Sequence, residues 1–566
     1  MRLPGRIIAP SARFQLLNTA VMLTLAVCGV ACGDYYRPVA QPLEGIQPSP
    51  AAAHSIISIN TDGIAGNSRG NGSASNIDAS GDSIQGNLIV GLAPAHAALT
   101  PNGTRMYVAN SGEDSVTANT TSSPTGVAAT VSVPPSPGAQ IMQVTGDGTT
   151  ATYFYNGAAA LFSVGDTVFV TGCATAGFDG VYTVTAASGN TFSVANSTSA
   201  TDNPEFGGAQ AKTPNAVFAN TADNNNMYVA GYSTNSVYAI NTSTDVVSAT
   251  IAVGRHPVSL TELPNDQQIY VANQGSGTVS VISTVNNTVT QTVSPTVGAV
   301  PVWVVAKSDS TRVYVLDASG VIYDFNPLAT TINCASSPAV GCSATATANA
   351  GAGSNFLTFD PVMNRLYVTN PTNSQVGILD ASVDPPKLIN TINLATAAAS
   401  ACSGCAPDAV TVLGDGSRAY VAAYQFAPGC TDSSGNAVNC VDTLVAVIDG
   451  PSATLKSVIT GIGSGAALSA TGCGLGSGPV PTVWQPGIAR FRASIASSGG
   501  GTNSNFKVYV GQCDAGSVGV VDTYPVNGRP GDTYSGVSVN APLSTFPPLA
   551  GGVPPAQNPV FVLAGP

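Results

Sequence analysis

The chain has 566 residues, 44 % of them hydrophobic and only 8 % charged, with a formal net charge of −12 and a pI near 4.5. A surface that binds nucleic acid needs clustered Lys and Arg, so this balance excludes one. The apolar fraction is ample for a core, and the exterior must be solvated mainly by hydroxyls, amides and backbone.

The first 31 residues read as a signal peptide. Arg2, Arg6 and Arg13 form a positive n-region, and Phe14 to Ala31 form an apolar stretch. Small residues then precede a cysteine, in Gly29-Val30-Ala31-Cys32. This resembles a bacterial lipobox and implies lipidation at Cys32, with Cys28, an ordinary signal peptide and a retained anchor helix as alternatives. Residues 32–53 are polar and Pro-rich without periodicity, as expected of a tether.

From residue 54 the chain alternates as β-strands do. His54 to Asn60 matches the pattern of Ser236 to Asn241, and after a Gly/Ser/Asn loop Leu88 to Gly91 matches Ile251 to Gly254. Met227 to Gln268 and Ile269 to Arg312 then repeat one unit of four short strands, with Gly/Asn turns and a Pro-bearing connection. Four strands in such a period are the mark of a propeller blade. The second strand recurs seven times, around Tyr107, Tyr228, Tyr270, Tyr314, Tyr367, Tyr420 and Tyr509. A proline stands thirteen positions earlier in four of them, as Pro94, Pro257, Pro301 and Pro407.

These Tyr-Val strands, as in Tyr107-Val108-Ala109-Asn110 and Tyr367-Val368-Thr369-Asn370, resemble the YVTN family. The resemblance implies an all-β, seven-bladed β-propeller with four-stranded antiparallel blades, over residues 54–135 and 213–525. In the motif, Tyr and Val suit a half-buried pleated strand, and the following Asn or Gly is expected to serve a left-handed turn. Closure is expected to pair a strand near Asn87–Gly91 with strands at 487–492, 507–510 and 517–522, and both 55–59 and 517–521 are available as its third strand.

Three regions break the period. Tyr107 and Tyr228 stand 121 positions apart, which places an inserted small β-barrel-like domain at 136–212, built from alternating strands between Gly/Asn/Asp turns. Ala/Ser/Cys loops lengthen the blades near 329–353 and 384–406, and a mobile low-complexity loop is expected within 450–506. Residues 526–566 read as a Pro/Gly-rich tail, in which Asn558 to Ala564 could dock as an edge strand.

The cysteines agree with export. Cys334 with Cys342, Cys402 with Cys405, Cys430 with Cys440 and Cys473 with Cys513 form neighbouring couples suited to disulfides, and Cys173 is left over. Cys402-Ser-Gly-Cys405 has no second CxxC, so zinc is not expected.

No catalytic constellation, metal site or cofactor is read from the sequence. Gly112-Glu113-Asp114 and Asn265-Asp266 lack the alternating carboxylates of a calcium loop. No GxSxG elbow or phosphate loop occurs. The repeat register places His96, Arg255, His256, Trp303, Asp408, Trp484 and Gln485 at or near one mouth of the channel, the default ligand site. The expected function is a binding or scaffold module of the cell envelope, monomeric and held to the membrane by its lipid. It would face the periplasm or cell surface and take an envelope protein, a glycan or a small ligand as partner. The alternative is a lactonase-like hydrolase, which requires Arg255, His256 and Asp408 to converge at that mouth.

Overall fold

The computed structural model describes residues 55–565 except 62–70, 122–128, 158–159, 205–207, 335, 337–338, 346–350, 399, 403, 432–434, 469–472, 476–479, 482, 499–505, 526–530 and 541–557. The signal peptide, Cys32 and the tether therefore lie outside the described residues.

Among the described residues, eight four-stranded antiparallel sheets form a propeller, where the tyrosine count predicts seven. Blade one runs from Pro94–Leu99 to Ala129–Ser132 and blade two from Ala216–Asn220 to Val246–Ala252. Blades three to seven begin at Pro257–Glu262, Pro301–Ala306, Phe356–Asp360, Ala406–Val412 and Ala493–Ser497. Blade eight joins the two ends of the chain. Its first strand is Asn558–Ala564, and Ser55–Thr61, Ser73–Asp78 and Ser83–Ile89 complete it. The first strands of neighbouring blades pack side by side around the whole ring.

The eighth blade escaped the count because Ile57 stands where the other blades carry tyrosine. Asn60 and Asn110 occupy the same place in their strands, each pairing with the first residue of the next strand (Ser73 and Ser115). The segment read as a docking edge strand does lie at an edge of its sheet, as the innermost strand of the closing blade. Blade seven likewise closes on itself with Thr533–Asn540 rather than on the N-terminal strands.

The tyrosines explain why adjacent blades adhere. All seven are buried in the second strand. In blade one, Tyr107 donates its hydroxyl to Asp245 at 2.8 Å while Arg105 forms an ion pair with the same carboxylate. Asp245 sits at φ 54°, in the turn before the outer strand of blade two. Arg418 and Tyr420 hold Asp532 of blade seven in the same way. Lys507 and Tyr509 hold Asp82 of blade eight, at 2.5 and 2.8 Å. Asp and Asn tolerate the left-handed conformation, so one residue both makes the turn and receives the clamp. Ala453 occupies this place in blade six at φ 56°, and there the Tyr367 hydroxyl has no partner while Arg365 donates to backbone carbonyls of Gly450 and Pro451.

The motif asparagines have a different role from the expected one. Asn110 and Asn273 are not at positive φ. Their carboxamides donate to hydroxyls of the third strand, Ser115 and Thr117 in one case and Thr278 and Ser280 in the other. Asn60 does the same with Ser73 and Ser75, whereas Asn370 donates to the Gly351 and Ala352 carbonyls and accepts the Asn373 amide.

The insertion forms a closed barrel of six strands, Gly138–Asp147, Thr150–Asn156, Thr167–Thr171, Gly180–Ser188, Thr191–Ala195 and Gln210–Lys212, with Ser199–Asp202 paired outside. It has its own core around Tyr153, Phe162, Phe178 and Phe192. Asp114 ties its two connections to blade one, accepting from the Ser136 amide at 2.8 Å and the Asn215 carboxamide at 2.7 Å and pairing with Lys212.

All four expected cysteine couples are disulfide-bonded. Cys334 is bonded to Cys342, Cys402 to Cys405, Cys430 to Cys440 and Cys473 to Cys513. Cys342 opens the outer strand of blade four, and its bridge pins the lengthened loop that precedes it. Cys440 lies in the third strand of blade six, and its bridge ties that strand to the end of the second at Cys430. Such local bridges suit a chain folded in an oxidising compartment. Cys173 is buried in the barrel and takes part in no disulfide.

Candidate functional site: the channel mouth

The first strands deliver large rings to the propeller axis. His96 of blade one stacks on Phe218 of blade two at 3.9 Å and lies 4.4 Å from Phe561 of blade eight. Phe218 meets Trp303 of blade four edge-on at 5.5 Å, and Trp303 lies 4.8 Å from Phe356 of blade five. Phe491 completes the cluster, 5.5 Å from Phe356 and 6.4 Å from Phe561. Among the described residues, an aromatic cluster drawn from five blades and a loop therefore packs at the axis.

Among the described residues of the connection between blades six and seven, 473–475, 480–481 and 483–492 lie over one end of this cluster. Cys473 is bonded to Cys513, and its carbonyl accepts the Ala489 amide at 2.9 Å. The Val480 amide donates to the Tyr424 hydroxyl at 2.8 Å. Across the ring, Gln274 donates to the Trp484 carbonyl at 2.8 Å, and the Arg490 guanidinium donates to the Val258 carbonyl at 2.5 Å. Arg490 lies 4.4 Å from the Trp484 ring centre, 5.1 Å from Trp303 and 5.2 Å from Phe218. A cation surrounded by three ring faces and removed from water gains about 2 kcal/mol or more from such contacts. The barrel rests on this loop. Gly487 is at φ 102°, and a Cβ there would stand 2.4 Å from a methyl of Val181 in the barrel, so only glycine fits.

Asp408 anchors the far end of the loop. It is fully buried and accepts the Arg492 and Ala493 amides at 2.6 and 3.0 Å and the Asn355 carboxamide at 3.0 Å. Burial pushes its carboxyl up to about 7, against the pull of those amides and the Arg492 charge. Arg492 itself pairs with Asp514 at 2.6 Å, both side chains almost fully buried, beneath Tyr424 and Phe426.

The residues expected at the mouth therefore divide. His96, Trp303 and Trp484 join the packed cluster, and Asp408 is a buried anchor. His256, at φ 50°, stacks on Tyr232 at 4.3 Å, and Trp484 meets the same ring at 6.4 Å. Burial lowers the His256 pKa, opposed by the nearby Asp166 of the barrel, so the imidazole is neutral at pH 7. Arg255 is exposed and donates to the Gly275 carbonyl at 2.9 Å, and Gln485 is exposed. The charges that act on His256 are those of Asp166 and Arg255, while Asp408 is bound to amides at the far end of the loop. The three groups a hydrolase would need do not meet.

Sequence reasoning missed Arg490, Phe491 and Arg492. Two arginines flanking a phenylalanine, in a chain with only 18 Lys and Arg, were the available signal. It also missed the one group of possible metal ligands among the described residues. Asp223, Glu262 and Asp266 bring carboxylate oxygens within 4.8 Å of one another, at the junction of blades two and three.

No protein-family model and no curated protein matches the chain. Among solved structures, it is similar to a periplasmic gluconolactonase of Pseudomonas aeruginosa, with a TM-score of 0.40 and 13 % identity over 86 % of this chain and 96 % of that one. It is also similar to hydrazine synthase of Kuenenia stuttgartiensis, with a TM-score of 0.35 and 15 % identity over 53 % of this chain and 74 % of that one. At these scores neither likeness bears on site or activity.

Proposed function

We propose that the chain is an exported, lipid-anchored β-propeller of YVTN type that acts as a binding or scaffold module of the cell envelope. The observation that carries this reading is the packing of the described residues of the 473–492 connection, with Arg490 and Trp484, against the axial rings and of the barrel against Gly487, which points to the outer surfaces as the places to receive a partner. The four disulfides and the scarcity of charge fit an extracytoplasmic protein. A lactonase-like reaction lacks support, because His256 faces Tyr232 and Asp166 while Asp408 is committed to backbone amides.

The test uses the full mature chain. Purified protein is expected to turn over no member of a lactone panel, and to capture a defined partner from detergent-solubilised envelopes. Capture is expected to weaken when the barrel at 138–212 is replaced by a short linker. Lactone hydrolysis that disappears in His256→Ala would overturn the binding reading.

A further inference from the structure

Glu262 is out of keeping with its place in the repeat. Counting back from the second-strand tyrosine, the same position holds Leu99, Ala306, Phe359 and Val412 in four other blades, all packed in the core or against it, and the uncharged Asn220 in blade two. Blade three puts a carboxylate there, 1 % exposed. One oxygen, Oε2, accepts the Ala222 amide at 2.5 Å and the Thr221 hydroxyl at 3.2 Å. The other, Oε1, is buried and has no hydrogen-bond donor. A carboxyl oxygen buried without a donor is costly, and retaining it in a core position calls for a partner.

The surroundings say which kind. Glu262 shares the junction with Asp223, half-buried in the turn of blade two, and Asp266, exposed in the turn of blade three. No Lys, Arg or His among the described residues forms an ion pair with any of the three. Separations of up to 4.8 Å suit oxygens on opposite sides of one ion with metal–oxygen distances of about 2.4 Å, the range of Ca²⁺. The ligand atoms are all hard carboxylate oxygens, with neither nitrogen nor sulfur, which also selects that class of cation. The exposed side of Asp266 supplies the way in.

We propose that Asp223, Glu262 and Asp266 form a Ca²⁺ site that staples blade two to blade three. The ion meets the orphaned Glu262 oxygen and neutralises the cluster, so binding and the stability of the propeller are linked.

Full-length mature protein is stripped with EDTA and titrated with CaCl₂ at constant ionic strength, following the unfolding midpoint and the heat of binding. The midpoint is expected to rise by several degrees, with half the effect at about 10⁻⁴–10⁻³ M, the range of extracellular modules. Glu262→Leu, which restores an apolar side chain of the repeat, is expected to abolish the response while keeping an ion-free midpoint at or above that of the wild type. If Glu262→Leu does not fold, Asp266→Asn, at an exposed position, is expected to weaken Ca²⁺ binding at least tenfold. A wild type unmoved by about 10 mM Ca²⁺, well above the range of extracellular sites, would overturn the proposal. So would variants that respond as the wild type does.

Discussion

Trp484→Ala tests the closed mouth at a buried joint. The indole is 5 % exposed, lies 4.4 Å from the Arg490 guanidinium and donates Nε1 to the Ile488 carbonyl at 3.2 Å. Truncating a buried Trp to Ala costs about 3–5 kcal/mol, including a cation–π contact of about 2 kcal/mol and a hydrogen bond of about 1 kcal/mol. The backbone bond from Gln274 to the Trp484 carbonyl survives the substitution, so the loss falls on the loop rather than on the blades. The chain has only two tryptophans, so the variant leaves Trp303 as the sole indole reporter. Trp303 is 2 % exposed beneath Arg490, and opening the loop would bring water to it. Emission is expected to shift to the red and iodide quenching to increase, with denaturant unfolding showing a loss of about 3–5 kcal/mol spread over loop opening and global unfolding. A loss below about 1 kcal/mol with Trp303 still shielded would refute the reasoning, because a well-packed Trp cannot be removed so cheaply.

Two further outcomes follow from named groups. Burial raises Asp408 from an ordinary value of 3.8 to about 7, so the folded chain holds this proton more tightly than the unfolded one. Its contribution to stability is then fully present below pH 4, falls as pH rises through 4 to 7 and is level above, with an upper bound of about 4 kcal/mol at 1.36 kcal/mol per pK unit. The difference in unfolding free energy between wild type and Asp408→Asn should carry that slope, and parallel pH curves would contradict it. At the junction of blades five and six, Ala453→Asp should supply the carboxylate that Tyr367 and Arg365 lack and relieve the left-handed strain of alanine. The expected gain is about 1–3 kcal/mol by denaturant unfolding, from satisfying one buried hydroxyl; a loss of stability would show that the clamp at Asp245 is not transferable.

The period of the second strand made the blade architecture legible, because Tyr and Val recur at a spacing set by purely local turns. The cysteine couples were legible for the same reason, since Cys342 and Cys440 each lie within ten positions of their partners. The eighth blade was hidden for the opposite reason. Its strands come from the two ends of the chain, and Ile57 replaces the tyrosine that marked the others. The asparagine was seen but given the wrong task at Asn110 and Asn273, since their hydrogen bonds run to hydroxyls on the next strand and neither residue is at positive φ. At the mouth, the register placed His96 and Trp303 on first strands correctly, but solvent access depends on what crosses the axis. Phe491 and Arg490 do so from a stretch with no period, where local pattern carries no information. Glu262 and Asp223 lie in different blades, so their meeting is a product of ring geometry alone.

The closed mouth is tested most directly by hydrogen exchange on the full mature chain, read by mass spectrometry. The amides of Ala489, Arg492 and Ala493, bound to Cys473 and Asp408, should exchange as slowly as those of the first strands. If residues 484–493 exchanged within seconds while the blades stayed protected, the loop would be open in solution, and His96, Trp303 and His256 would line an accessible site.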